Sequence, residues 1–327
     1  MSTRSDQVPA PTLGEWVRKA AEAMDSAGLF FGHGTERSID EACWMAAHQL
    51  DLSPDFDEAM FGVRVADEDR GALDALLARR IDTRQPLAYL LGEAWFAGLR
   101  FRVTPETLVP RSPLAELIVE GLQPWLDLDR PLRVLEIGTG SGCIAGALAW
   151  HWPALAVDAS DISGAALEVA ADNLRRIGVG DRVRLLESDV YDALGESRYD
   201  LIVSNPPYVP QASMRDLPDE YRHEPAEALV AGRDGLDIVR RLIAGAGDHL
   251  EPGGLLLVEV GEAAPMAEQL LAETDAIWLE FQHGGEGVFL LDRAAAVELA
   301  GSGVLDRPVA IDTPDKGAED RNEEKDA

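Results

Sequence analysis

Two spacings of apolar residues divide the chain. From about residue 12 to 90 they recur at helical intervals. From about residue 114 short apolar runs alternate with helical stretches. In the first region Leu13, Trp16, Val17, Ala20 and Met24 form one helical stripe. Ser38-Ile39-Asp40-Glu41 has capping-box spacing, which predicts a second helix starting there. A third is expected over residues 68–81, and Pro86 suits the first residue of a short fourth. Residues 95–103 alternate around Gly98 as a β-hairpin does, and lead into the Pro-rich stretch 104–113, read as an ordered linker.

The second region reads as an α/β domain. Strands are expected over 133–137, 156–160, 183–187, 200–204 and 255–260, with a final antiparallel pair over 277–282 and 287–291. Alternation of strands with helices predicts a doubly wound, mostly parallel sheet that binds ligands at the carboxyl ends of its strands. The expected organisation is a helical unit over 1–93, hairpin and linker over 94–113, and the α/β domain over 114–304. An acidic tail over 305–327 is too poor in apolar residues to fold by itself.

Composition narrows the function classes. At 327 residues the chain has room for one large core and a smaller domain. No apolar run approaches the roughly 20 residues of a membrane span, and the start has no apolar signal core, so a cytoplasmic protein is expected. Cys43 and Cys143 are isolated and the histidines lack ligand spacing, so neither a disulfide framework nor a metal site is expected. The net charge of −30 leaves no visible basic face for nucleic-acid phosphates and suits a basic protein partner.

Candidate chemistry lies at the expected strand ends. Val134-Leu-Glu-Ile-Gly138-Thr-Gly140-Ser-Gly142 turns from the first strand into an Ala-rich helix, with glycines that let a ligand approach the backbone. Its Gly-x-Gly-x-Gly spacing differs from the Gly-x-Gly-x-x-Gly that cradles a pyrophosphate. Asp161 follows at the end of the second strand, about 20 residues beyond Gly138, where the ribose of a nucleoside cofactor needs an acceptor. Asp189 ends the third strand, placed either to meet an adenine or to serve as a loop acid. Glu136, just before the glycines, is placed either to accept from a cofactor ammonium or to orient the loop.

Asn205-Pro206-Pro207-Tyr208 ends the fourth strand. Its prolines remove two backbone donors and fix the directions of the carbonyls and of the Asn205 amide. Such a turn suits a planar nitrogen group, an amide or an exocyclic amine. Convergence of these elements on one crevice identifies them together as a site.

Together the glycine loop, Asp161 and Asn-Pro-Pro-Tyr resemble S-adenosylmethionine-dependent methyltransferases acting on amide or exocyclic amine nitrogens. Tyr221-Arg-His-Glu224-Pro225, followed by Gly232-Arg-Asp-Gly235, is similar to the signature of HemK-type protein-glutamine methyltransferases, over about residues 10–295. Pro110-Arg-Ser-Pro-Leu-Ala-Glu116 departs from the Pro-Arg-Pro-Glu-Thr-Glu of the release-factor enzymes. With Glu93-Ala-Trp-Phe and Phe31-Gly-His-Gly-Thr35, it resembles the PrmB branch, which acts on a glutamine of the third large-subunit ribosomal protein.

The resemblance implies a seven-stranded class I methyltransferase sheet and S-adenosylmethionine as cofactor, held by Glu136, Gly138, Gly140, Gly142, Asp161, Asp189 and Asn205. It implies a catalytic Asn205, Pro206 and Tyr208, and substrate contacts from Asn205, Pro206, Pro207, Tyr208 and Glu224. Glu224 either closes over the site or anchors its loop; Arg111 either pairs with Glu116 or faces the substrate. The N-terminal helices are expected to recognise a basic ribosomal protein, with no nucleic acid, membrane or metal required. Release-factor methylation, amino-DNA methylation and a non-catalytic role in ribosome assembly are the alternatives.

Overall fold

The computed structural model describes residues 10–53, 56–282, 284–307 and 309. The expected tail over 305–327 lies almost wholly outside the described residues. Helix α1 (Leu13–Ser26) opens on a capping box in which Thr12 and Glu15 each accept the other's backbone N–H, and its predicted apolar stripe is buried. Helix α2 (Ser38–Gln49) begins where expected, but its capping box does not form. Its N-cap is Arg37, and the Glu41 carboxylate turns inward to accept from Arg80 Nε at 2.6 Å. A buried guanidinium without a counter-charge costs more than the roughly 1 kcal/mol of a cap, so the ion pair takes the glutamate.

Helix α3 (Asp67–Thr83) contains the expected stretch 68–81, and α4 (Leu87–Leu91) starts one residue after Pro86, which is its N-cap. Strands β1 (Glu93–Phe96) and β2 (Leu99–Arg102) form the expected antiparallel hairpin. Its turn residues Ala97 and Gly98 both have positive φ, the two-residue turn whose twist matches that of the strands.

After α5 (Leu114–Glu120) the chain runs through β3 (Arg133–Ile137), α6 (Cys143–His151), β4 (Ala156–Asp161), α7 (Gly164–Arg176), β5 (Val183–Glu187) and β6 (Tyr199–Ser204). It continues through α8 (Asp237–His249), β7 (Leu250–Glu259), α9 (Ala264–Leu270), β8 (Ile277–Trp278), β9 (Val288–Asp292) and α10 (Arg293–Gly301). The seven strands lie in the order β5-β4-β3-β6-β7-β9-β8. Strands β3 to β7 pair in parallel because a crossover separates each from the next, whereas the chain turns back after β8, so that β9 is antiparallel to both β8 and β7.

Successive residues face opposite layers. Val134, Val157, Leu201 and Leu257 pack with Leu148 of α6 and Leu174 of α7. Leu135, Ile202, Leu256 and Phe289 pack with Leu242 of α8 and Leu299 of α10. Burial of both faces explains why these strands read as nearly continuous apolar runs.

Two ties position the site. Asn173 of α7 accepts from Arg102 N at 2.7 Å and donates to Arg102 O and Ser141 O, both at 2.8 Å, joining the hairpin to the glycine loop. In the long loop between β6 and α8, buried Glu220 accepts from Phe30 N at 3.0 Å, is ion-paired with Arg84 Nη2 at 3.0 Å, and lies 3.6 Å from Arg80 Nη1. Arg80, with 1% of its side chain exposed, bridges two buried carboxylates. Arg80→Ala leaves Glu41 and Glu220 without that charge, and a loss of roughly 3–5 kcal/mol is expected in urea unfolding.

Candidate active site

Strand register lines up the site. Ser160, Ile137, Ser204 and Val258 are paired neighbours across β4, β3, β6 and β7. The residues that follow them are Asp161, Gly138, Asn205 and Glu259, so all four stand in one row at the carboxyl ends of adjacent strands. The strand order reverses here, since β4 lies on one side of β3 and β6 on the other, and open α/β sheets bind ligands at such a point.

Gly138, Gly140 and Gly142 all have positive φ, which side chains rarely adopt. A Cβ on Gly138 or Gly140 would enter open space, whereas one on Gly142 would come within 3.0 Å of the Ala170 Cβ. The first two present bare backbone to the crevice; the third seats the loop on α7. Asp161 braces the loop, accepting from Gly140 N at 2.8 Å and from Ser163 N at 2.9 Å. Burial raises the Asp161 carboxyl above its ordinary value, against the lowering effect of these N–H donors. Each of its oxygens retains a lone pair beyond these bonds. Open space over bare backbone and a braced acceptor beside it fit the ribose and chain of a nucleoside cofactor.

Glu136 accepts from the Thr139 hydroxyl at 2.6 Å and from Ala145 N at 2.9 Å, tying the loop to the start of α6. Burial pushes its carboxyl up to about 8, so at neutral pH it is mostly protonated. Of its two expected roles, orienting the loop is the one these contacts perform.

In the turn after β6, Pro206 is buried and the Asn205 Oδ1 is a buried acceptor with no partner among the described residues. Two glycines make room for Tyr208. A Cβ on Gly261 would lie 2.7 Å from its ring, and one on Gly235 would lie 2.2 Å from its carbonyl oxygen. Burial, followed by the nearby Glu259 charge, holds the Tyr208 phenol above its ordinary value and therefore neutral.

Glu224 is enclosed. It takes a two-pronged contact from Arg111 at 2.6 and 2.8 Å and accepts from Val109 N at 3.1 Å. Burial opposes its ionisation, yet the adjacent His33 and the Arg111 charge and hydrogen bonds prevail and bring it down to about 2. His33 Nε2 lies 3.5 Å away without a hydrogen bond to it, and burial keeps that imidazole neutral, so Arg111 is the counter-charge. The Arg111 guanidinium also stands 5.4 Å from the centre of the Tyr221 ring.

Residues 115–232 match the family model described as methyltransferase small domain. The chain is 43% identical to the ribosomal protein uL3 glutamine methyltransferase of Bordetella pertussis, over 86% of this chain and 95% of that one. It is 44% identical to the enzyme of that name from Xanthomonas campestris pv. campestris, over 86% and 91%, and 40% identical to that of Burkholderia pseudomallei, over 90% and 98%. The chain belongs to this family.

Not every expected role fits the geometry of this chain. The Glu224 side chain has no exposed surface and its oxygens serve Arg111 and Val109, so it anchors its loop and is corrected from a substrate contact. Arg111 pairs with Glu224; Glu116 instead accepts from Gln282 N at 2.9 Å. Asp189 follows β5 as expected, where it meets Arg241 Nη1 at 2.8 Å. Val190 beside it holds φ of 54°, a strained value for a β-branched residue. Ser112, Glu220 and Glu259 went unrecognised in the sequence. The available signal was a lone glutamate closing the apolar run Leu255-Leu-Leu-Val-Glu259.

Glu136 gives this site a pH signature. The unfolded carboxyl ionises near 4.5 and the folded one near 8, so across that window the unfolded chain releases a proton that the native state retains. Stability through this group is therefore lost as pH rises. Glu136→Gln keeps the acceptor for Thr139 and Ala145. Urea unfolding is expected to show it gaining on the native protein between pH 5 and 8, by at most about 1.4 kcal/mol per pH unit.

Proposed function

We propose that this chain transfers a methyl group from S-adenosylmethionine to the side-chain amide nitrogen of a glutamine in ribosomal protein uL3. The observation that carries the reading is the unpartnered, buried Asn205 Oδ1 in the row that also holds Gly138 and Asp161. Its relatives bear the name of that activity at 40–44% identity over most of the chain.

S-adenosylmethionine, held by the backbone at Gly138 and Gly140 and by Asp161, supplies an electrophilic methyl group. The chain's own residues prepare the nucleophile. An amide nitrogen is weakly nucleophilic because its lone pair is delocalised into the carbonyl. Asn205 Oδ1 and the Pro206 carbonyl accept its two N–H groups, fixing its direction and favouring the pyramidal form that the transition state requires. Tyr208, neutral and clasped by Gly235 and Gly261, covers the flat amide and excludes water. After transfer the nitrogen is cationic and releases its proton readily, so no strong base is needed.

The glutamine belongs to a partner whose charge the site's surroundings suit. At −30 the chain attracts a basic ribosomal protein, and such a substrate implies a cytoplasmic enzyme. Glu220 links the loop after the Asn-Pro-Pro-Tyr turn to Phe30 and Arg84, so the N-terminal helices shape the surface that meets it. Asp189 completes the cofactor site from the end of β5.

Labelled S-adenosylmethionine is expected to mark unmethylated uL3 in preference to a release factor or DNA offered in parallel. Asn205→Ala is expected to lower that rate at least about 100-fold while calorimetry shows cofactor binding retained. Asp161→Ala is expected to weaken cofactor binding. Label found only in DNA overturns the glutamine assignment, and an unchanged cofactor affinity in Asp161→Ala removes that residue from the cofactor site.

A further inference from the structure

We propose that Glu259 is a positioning residue: it accepts the side-chain N–H of Asn205 and so turns Asn205 Oδ1 toward the substrate amide. The inference deepens the proposed methyl transfer and rests on it. An asparagine amide has two ends of similar shape and opposite polarity. Turned the wrong way, Asn205 would offer an NH₂ group to the incoming N–H and could not hold it. Something outside the turn must therefore choose the orientation.

Glu259 is placed to choose. Register sets it next to Asn205 in the row, and it is 4% exposed. The Ser112 hydroxyl donates to it, and the neighbouring Asn205 side chain favours its ionised form. Ser112 Oγ meanwhile accepts from Leu114 N at 3.1 Å, which leaves its hydrogen for Glu259. An ionised carboxylate only accepts, so Asn205 must turn its nitrogen to Glu259, and the end left over is the unpartnered Oδ1. The groups acting on Glu259 are Arg111 and Ser112 from the linker and Asn205 from the turn after β6, and Tyr208 of that turn feels its charge.

The arrangement is sensitive to pH. Burial pushes Glu259 up to about 7, even though Ser112, Arg111 and Asn205 all favour the ionised form. A protonated Glu259 becomes a donor, can bond Asn205 Oδ1 instead, and no longer favours the productive orientation. Methyl transfer is then expected to fall as pH drops through about 7. Loss of the Ser112 donor raises the Glu259 carboxyl further and moves that fall to higher pH.

The test reads Asn205 directly in the full-length protein without ligands. Its side-chain NH₂ resonances, assigned by their absence from Asn205→Ala, are expected to titrate with a midpoint near 7. In Ser112→Ala the midpoint rises, and in Glu259→Gln the titration disappears. With labelled S-adenosylmethionine and unmethylated uL3, kcat is expected to follow the same midpoints. Glu259→Gln, shown to be folded by its unfolding curve, loses roughly 100-fold in kcat with cofactor affinity unchanged. Asn205 resonances that still titrate in Glu259→Gln, or a kcat profile identical to that of the native protein, overturn the proposal. If the resonances behave as expected while native protein leaves uL3 unlabelled, Glu259 still sets the amide and the uL3 reading fails.

Discussion

The parallel pairing of β4, β3, β6 and β7 is the constraint on which the site depends. It aligns Asp161, Gly138, Asn205 and Glu259 at one level, although they are spread along the sequence from Gly138 to Glu259. A one-residue slip in any pair would send that strand's inward side chains to the opposite face. Burial of both sheet faces makes such a slip costly, so the packing of Leu135, Ile202 and Leu256 with α8 and α10 also fixes the spacing of the reacting groups.

Beyond the strand ends the backbone leaves the sheet, and buried ion pairs take over. The loop after the acceptor turn is short of regular backbone pairing. Glu220 ties it to the N-terminal helices and Glu224 ties it to the linker through Arg111. Buried pairs add little net stability compared with apolar packing, but losing one partner is expensive. What they contribute here is geometry: the N-terminal helices, the linker and this loop are held in one arrangement.

Protonation states follow from the same positions. Glu136 and Glu259 sit at strand ends with neutral hydrogen-bond donors, and burial drives both upward, to about 8 and about 7. Glu224 is comparably enclosed but faces the Arg111 guanidinium, and it stays ionised down to about 2. Similar burial thus yields two carboxyls that titrate near neutrality and one that does not.

Local sequence determined much of this protein. Period-two and continuous apolar runs located the seven strands, because burial dictates those patterns residue by residue. Positive-φ turns called for the glycines of the 138–142 loop, and two prolines announced the rigid turn at Asn205. Strand ends were less legible. The first expected strand of the final pair, 277–282, shortens to Ile277–Trp278, and β7 begins at Leu250, running through Gly253 and Gly254 with a register shift opposite Tyr199–Leu201. Only the tertiary structure decided where the long side chains went. Glu41 left its cap for Arg80, Glu224 closed on Arg111, and Glu259 took the Ser112 hydroxyl beside Asn205. Partners so far apart in the chain leave no periodic trace, and a glutamate's reach is settled by which charges folding brings within hydrogen-bond distance.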